Sequence, residues 1–232
     1  VSSILESDDV RIAVAFASRG GTKLIEQPLQ QRLEQGAYVE FVVGMDLIGT
    51  DPKALWDLYS LSRQHPTAHL YCCSQLNGKG MFHPKLYVMD APEQTVAIIG
   101  SSNLTAGGLQ HNAEANVFIR GTRQDEIILE AYTAYNRLKF AQHRVEPDEE
   151  LLQRYEALFE TRARLTRGAV NNKQMRRLIA EFGDKAASLR KPIAGRRDLV
   201  GWLETVYDHL PDGEFTNQQV YAMIDAFRSR YP

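Results

Sequence analysis

The sequence has little cysteine, no long apolar run and no strong net charge. Its two cysteines, Cys72 and Cys73, are neighbours, so strand geometry would point them to opposite faces, and a disulfide framework is excluded. An apolar run of about 18 residues, the length of a membrane span, does not occur. The chain also starts without a basic or apolar leader segment, so we expect no membrane contact and a cytoplasmic location.

Acidic and basic residues almost balance, with a formal net charge of −2. This value argues against a uniformly basic nucleic-acid-binding protein. One segment departs from the balance, because residues 162–197 contain 11 lysines and arginines and only 2 acidic residues. Such a segment is either the solvated face of a helix or a surface that contacts phosphate groups, and composition does not separate the two.

The first 120 residues alternate strand and helix patterns, which is typical of an α/β fold with a mostly buried sheet. Two segments between the strands have helical periodicity, one after a candidate N-cap at Thr22 and one after Asp51, which precedes Pro52 at a first helical position. The predicted strands are 11–16, 38–44, 69–73, 83–89, 95–100 and 112–120.

Strand patterns stop after residue 124, and the rest of the chain predicts helices. Loop-like breaks separate the amphipathic segments, and we place a domain boundary near residue 168. Residues 1–168 would form the main domain, and residues 169–232 a small helical module. The predicted helices are 125–142, 148–165, 173–190, 198–210 and 216–230.

A short stretch, residues 81–108, holds an unusual group of polar side chains. Residues two apart on a strand share a face, so His83 and Lys85 project together, and Ser101 can do the same with Asn103 where the next strand ends. An imidazole can attack phosphorus, while an ammonium and an amide can hold the phosphate oxygens. The stretch therefore predicts an anion site that contains a nucleophile.

The spacing of His83, Lys85 and Asp90, followed by Gly100, Ser101 and Asn103, reproduces H-x-K-x-x-x-x-D and then G-S-x-N. This pattern resembles the phospholipase D superfamily over roughly residues 8–120. The similarity is greatest to single-motif bacterial nucleases and to the nuclease domains of some restriction enzymes. It implies a phospholipase D-like mixed sheet flanked by helices, followed here by the small helical module.

The resemblance also implies a role for each matching residue. His83 would be the nucleophile that forms a phosphohistidine intermediate, and Lys85 and Asn103 would hold the phosphate oxygens. Glu114 would bond the second imidazole nitrogen and so leave the first one free to attack. A carboxylate that simply faces water is the alternative for Glu114. Asp90 and Ser101 are expected to support the site rather than react.

The chain contains one copy of the motif, because no other histidine is followed by a lysine two positions later. The family's chemistry uses two such histidines, one as nucleophile and one as general acid. We therefore predict a homodimer with a composite active site across a two-fold axis. Cations and amides take the place of paired carboxylates in the motif, so we predict hydrolysis without a metal or other cofactor.

The basic segment beside this chemistry favours DNA as the substrate. The sequence thus predicts a metal-independent endonuclease, the nuclease part of a restriction or defence system. A phospholipase D or phosphatidyltransferase is one alternative, and a DNA-binding module with an inactive nuclease fold is another. The end of the chain resembles the opening helices of winged-helix modules, or is a helix that packs on a neighbour. The candidate DNA-binding residues are Arg162, Arg164, Arg167, Lys173, Arg176 and Arg177.

Overall fold

The computed structural model describes residues 2–45, 49–74, 81–141, 143–166 and 172–189. The strands within these residues are β1 (Asp9–Val14), β2 (Tyr38–Gly44), β3 (Ala68–Cys73), β4 (Lys85–Asp90), β5 (Thr95–Gly100), β6 (Asn116–Gly121) and β7 (Arg144–Val145). They form one mixed sheet in the order β6-β5-β4-β1-β2-β3-β7. The predicted α/β fold, a mixed sheet flanked by helices, is confirmed.

Helices connect and cover these strands. The helices in the described part of the chain are α1 (Ser2–Glu6), α2 (Arg19–Glu34), α3 (Pro52–Gln64), α4 (Glu126–Lys139), α5 (Glu149–Thr166) and α6 (Asn172–Leu189), with a π-helical turn at Gly107–His111. The predicted start of α3 is confirmed, since the Asp51 carboxylate accepts a hydrogen bond from the Lys53 N–H at 2.9 Å and Pro52 follows the cap.

The start of α2 differs from the sequence prediction. Ser18 caps the helix, and its hydroxyl accepts a hydrogen bond from the Gly21 N–H at 3.2 Å. Thr22, the predicted cap, lies inside the first turn, where its hydroxyl is 3.1 Å from a carboxylate oxygen of Asp57. Both residues have a side chain that can cap a helix, so the pattern alone did not separate them.

The two halves of the sheet have different connections. β1, β2 and β3 are parallel, and α2 and α3 make the crossovers between them. β4 is antiparallel to β1, and β5 and β6 continue the antiparallel half. The carboxyl ends of β1, β2, β3 and β5 therefore lie at one edge of the sheet, together with the amino ends of β4 and β6.

Both faces of the sheet are buried. One face packs against α2, α3 and α5. Ile12, Phe41 and Leu55 belong to this layer, and each is almost fully buried. The other face packs against α4 through residues that include Val88 and Tyr135. Burial on both sides explains why the central strands read as continuous apolar runs.

Among the described residues after 124, one strand was not predicted from the sequence. Residues Arg144 and Val145 of β7 pair with the end of β3, and two residues are too few to leave a periodic pattern.

The expected domain boundary at residue 168 falls between α5 and α6. The chain divides into two compact units, Val1–Arg190 and Lys191–Pro232. Helix α6 lies in the first unit because Phe182 is fully buried there, with its ring 6.1 Å from the ring of Tyr155 in α5. The rest of the predicted C-terminal module, with its winged-helix likeness, lies outside the described residues.

Candidate active site

His83 and Lys85 meet at the amino end of β4, as their spacing predicts. The Lys85 Nζ is 2.7 Å from Nδ1 and 3.0 Å from Nε2 of the imidazole. A lysine ammonium can only donate, so the ring nitrogen that it contacts at a given moment must be unprotonated. The pair thus places a neutral nitrogen lone pair beside a cation. His83 precedes the strand, which begins at Lys85 rather than at residue 83.

Lys85 is 8% exposed, whereas His83 is exposed to solvent. Lys85 pairs with Val14 of β1 in the centre of the sheet, which buries its stem. This burial lowers the pKa of Lys85, and the negative charge of Glu114 opposes part of the shift. The ammonium is consequently less well solvated than a surface lysine, which strengthens its attraction for a phosphate oxygen.

Asn103 reaches the same edge of the sheet from the loop after β5. Its Oδ1 accepts a hydrogen bond from the Phe16 N–H at 3.1 Å. The Leu104 N–H donates to the Phe16 carbonyl at 3.1 Å, so the loop is fixed to the end of β1. With Oδ1 engaged, the amide presents its NH₂ group as the free end, and that group is a donor suited to an anion.

The turn at Gly100 requires a residue without a side chain. A Cβ at this position would lie 2.3 Å from the Ala115 carbonyl oxygen, which is too close for any substitution without a backbone shift. This close approach lets the Ser101 N–H donate to the Ala115 carbonyl at 3.1 Å. The residues that precede β6 are therefore held against the loop that carries Asn103.

Glu114 lies in the loop before β6, because that strand begins at Asn116 and not at residue 112 as predicted. Its carboxylate accepts hydrogen bonds from the Ser101 hydroxyl and, at 3.1 Å, from the Asn112 amide. These two bonds lower the pKa of Glu114, so the group stays ionised. The hydrogen bond from His83 to Glu114 that the resemblance implies is not formed in the structure, where the imidazole contacts Lys85 and the carboxylate accepts from Ser101 and Asn112.

Asp90, the last member of the motif, lies at the opposite end of β4. It accepts a hydrogen bond from the Thr95 hydroxyl and forms an ion pair with Arg123 at 3.1 Å. It lies five positions along the strand from Lys85, a distance of roughly 17 Å. Asp90 is thus a charge-paired residue outside the group formed by His83, Lys85 and Asn103.

Part of the candidate DNA surface is described. Arg164 is 65% exposed and lies 3.7 Å from Glu160, and Arg177 is 81% exposed and lies 2.7 Å from Glu181. Arg176 is exposed on α6, and Arg162 is half-buried on α5. Arg167 and the side chain of Lys173 lie outside the described residues. The two ion pairs partly neutralise the basic segment, as on a solvated helix face.

Sequence reasoning missed Phe16, which follows the end of β1. Its ring contacts His83 edge to face, with centroids 5.6 Å apart and planes at 77°. The signal was present, since an aromatic residue follows a buried strand and precedes a turn, but nothing in the sequence indicated that this strand end meets β4.

Among the described residues, no group of three or more histidine, cysteine, aspartate or glutamate side chains has the geometry of a metal site. No helix in that part of the chain is both long and apolar enough to cross a membrane. The sheet edge instead assembles an imidazole, an ammonium and an amide, a set that can bind and attack a phosphodiester.

Residues 4–138 match the sequence model of the family described as "Cardiolipin synthase, PLD-like domain". The match covers more than half of the chain, which therefore belongs to the family of phospholipase D-like domains. The resemblance stated from His83, Lys85 and Asn103 is confirmed at this level. Members of the phospholipase D superfamily are phosphodiesterases, and this is the enzyme class of the chain.

Three solved structures illustrate what the chain is similar to. NucT from Helicobacter pylori is 16% identical with a TM-score of 0.44, and the match covers 59% of this chain and 82% of NucT. The archaeal chromatin protein TrmBL2, whose description refers to a novel mode of DNA binding, is 14% identical with a TM-score of 0.38, covering 59% of this chain and 45% of that one.

Polyphosphate kinase from Porphyromonas gingivalis is 14% identical with a TM-score of 0.40, covering 64% of this chain and 23% of the kinase. The chain thus spans most of NucT but less than half of the other two proteins. No curated protein sequence matches it. The family assignment consequently rests on the match over residues 4–138.

Proposed function

We propose that the chain is a metal-independent DNA endonuclease that acts through a phosphohistidine intermediate, as the nuclease part of a restriction or defence system. The observation that carries this proposal is the meeting of His83, Lys85 and Asn103 at one sheet edge, where Lys85 is 2.7 Å from the imidazole. The basic segment at 162–197 supports DNA as the substrate. The likeness of the motif to restriction nucleases supports the narrower assignment.

The proposed reaction starts when a substrate phosphate draws the Lys85 ammonium away from His83. Lys85 and the Asn103 amide then hold two phosphate oxygens, while the imidazole nitrogen that has been released attacks phosphorus. An N–P bond forms and the P–O bond to the leaving strand breaks, with a proton supplied to that oxygen by a second His83 that starts the reaction as an imidazolium. Water, deprotonated by this second histidine, then hydrolyses the N–P bond and restores both imidazoles.

The second histidine comes from a second copy of the chain. The sequence contains a single H-x-K pattern, so one chain supplies half of the groups that the reaction requires. The sheet edge formed by β6, beside the site, is suited to cover by that copy. Edge strand β6 and its neighbour β5 expose apolar side chains on both faces of the sheet, with Val117 (62%) and Ile99 (42%) on one face and Phe118 (59%) on the other. An edge strand with large apolar side chains is a typical pairing surface.

The reaction is tested by incubating the purified protein with supercoiled DNA and with phospholipid vesicles in excess EDTA. His83→Ala is compared with His65→Ala, which removes a histidine that follows α3 and lies outside the motif. DNA nicking that survives EDTA and is lost only in His83→Ala supports the proposal. Full loss of nicking in EDTA with recovery in magnesium would overturn the metal-independent mechanism.

The same assay decides between the proposal and its alternatives. Lipid turnover lost in His83→Ala would identify a phospholipase or phosphatidyltransferase, a reading that the description of the family as a cardiolipin synthase domain favours. DNA binding without cleavage would identify an inactive nuclease fold. Either outcome rejects the endonuclease.

The dimer is tested with Phe118→Glu, which places a charge on edge strand β6, against Gln124→Glu, an exposed residue that is not part of that strand. We expect sedimentation to give a dimer for the wild type and for Gln124→Glu, and a monomer with little nuclease activity for Phe118→Glu. Full activity of a wild-type protein that sediments as a monomer would exclude the composite site.

A further inference from the structure

Phe16 contacts His83, Lys85 and Asn103. Its ring lies edge to face against the imidazole, and the Lys85 Nζ is 6.0 Å from the ring centroid. Its N–H donates to the Asn103 Oδ1 at 3.1 Å. The side chain of Phe16 therefore contacts His83 and Lys85, and its main chain binds Asn103.

The ring limits where the imidazole can go. His83 is exposed and precedes β4, so the sheet does not hold its side chain. The imidazole contacts the Lys85 ammonium and the Phe16 ring. Edge-to-face pairs are stabilising because the positive edge of one ring meets the negative face of the other. When a phosphate draws Lys85 away, the contact with the Phe16 ring remains and keeps the imidazole directed at phosphorus.

The main chain of Phe16 fixes the second half of the motif. Its N–H holds the Asn103 Oδ1, and its carbonyl accepts from the Leu104 N–H. Because Oδ1 is held, the Asn103 NH₂ group is the end of the amide available to the substrate. One residue at the end of β1 thus joins the part of the site before β4 to the part after β5.

We propose that Phe16 is a positioning residue for the reaction assigned above, and this inference rests on that proposed function. It does not touch the reacting atoms. It holds His83 at the orientation from which the imidazole attacks, and a small displacement of a reacting group can lower a rate severely.

Gly49 offers a way to move the ring without removing it. A Cβ added at Gly49 would lie 2.3 Å from Cδ1 and 2.4 Å from Cγ of Phe16, so in Gly49→Ala the ring, the backbone at residue 49 or both must shift. If Phe16 is first shortened to alanine, the same methyl group meets no ring. If Gly49→Ala acts through the Phe16 ring, it should therefore have no further effect once Phe16 is alanine. The two single variants and the double variant form a double-mutant cycle that tests this.

The kinetic test measures kcat and KM for DNA cleavage in five proteins: wild type, Phe16→Ala, Phe16→Tyr, Gly49→Ala and the Phe16→Ala, Gly49→Ala double variant. We expect Phe16→Ala and Gly49→Ala each to lower kcat about tenfold or more, with KM changed less than about twofold. Phe16→Tyr should keep most of the activity because the ring is retained. The double variant should be no slower than Phe16→Ala.

A spectroscopic readout does not depend on turnover. In wild-type protein the ring current of Phe16 should shift the His83 imidazole proton resonances, and the shift should be lost in Phe16→Ala and altered in Gly49→Ala. Thermal unfolding of each variant separates loss of the fold from loss of position. If wild-type protein cleaves no DNA but the ring-current shift is present, the proposed function fails and the positioning contact stands.

Two outcomes would overturn the inference for a DNA-cleaving wild type. One is an unchanged kcat in both Phe16→Ala and Gly49→Ala. The other is a multiplicative loss in the double variant, which would mean that Gly49 does not act through the ring.

Discussion

Each end of β4 carries a charged residue of the motif, and the electrostatic surroundings of the two charges differ. At the carboxyl end, Asp90 is 14% exposed at its side chain and is paired with Arg123 and Thr95. At the amino end, Lys85 is buried without a paired carboxylate, and its nearest partner is the neutral imidazole of His83. Asp90 has a cation at ion-pair distance, whereas Lys85 has no carboxylate at that distance and feels Glu114 only from further away.

This difference separates stability from function within one strand. A paired carboxylate lowers the free energy of the fold, whereas a buried cation beside an imidazole costs desolvation energy until an anion arrives. We therefore expect the motif to have a structural end and a reactive end. The predictions below test that division.

Lys85→Met should have the largest effect. Loss of the ammonium that stabilises the phosphate oxygens is expected to lower kcat/KM by about 10²–10³, while the free energy of unfolding stays the same or rises because a buried charge is removed. Lys53→Met, an exposed lysine on α3, is the control. A kcat/KM within a few fold of the wild type would show that Lys85 is not at the reactive end.

The lowered pKa of Lys85 predicts a dependence on pH. The folded chain releases this proton at a lower pH than the unfolded chain, so stability should rise with pH from the lowered pKa up to 10.5. Activity needs the ammonium and should fall over the same interval. The measurements are unfolding curves and cleavage rates against pH in the wild type and in Lys85→Met. The variant should lack this part of the pH dependence of stability.

Asp90→Asn should have the converse effect. Removal of the ion pair with Arg123 and of a charge-assisted hydrogen bond is expected to lower the free energy of unfolding by about 1–2 kcal/mol, while kcat changes less than about twofold because Asp90 is remote from His83. Asp184→Asn, an exposed aspartate on α6, is the control. A large loss of kcat at unchanged stability would remove the distinction between the two ends.

Ser101→Ala should change the pH profile more than the maximal rate. The hydroxyl donates to Glu114 and is the main cause of the lowered pKa of that carboxyl group. Without it the pKa of Glu114 should rise, and the acidic limb of the rate profile should move to higher pH if the reaction needs the ionised group. Ser60→Ala, on an exposed part of α3, should leave the limb in place. An unmoved limb in Ser101→Ala would mean that Glu114 has no part in the rate.

The double substitution of Arg176 and Arg177 to alanine should have the smallest effect. Arg177 already pairs with Glu181, so only a fewfold loss of DNA affinity is expected. The slope of log affinity against log salt should become shallower by at most about two units. Replacing Lys53 and Arg63 on α3 removes two exposed cations elsewhere as a control. An equal loss in both double variants would point to a general charge effect and not to a binding surface.

Much of the fold was predictable because buried strands and capped helices leave local patterns. The strands at 38–44 and 95–100 have the predicted bounds, and α3 begins after Asp51 as expected. The strand β7 was missed because its two residues carry no periodicity. The predicted strand began at residue 112 and not at Asn116 because the alternation of polar and small residues at 112–115 resembles that of a strand.

The sequence by itself determined the family, because His83, Lys85 and Asn103 have a spacing that reports the chemistry directly. It also determined that one chain holds one motif. The tertiary structure decided which groups meet. In the structure Asp90 lies at the far end of β4 and the Glu114 carboxylate accepts hydrogen bonds from Ser101 and Asn112. The Phe16 ring contacts the imidazole. The physical reason is that spacing along the chain sets which side chains share a strand, whereas strand direction and order across the sheet set which strand ends lie together.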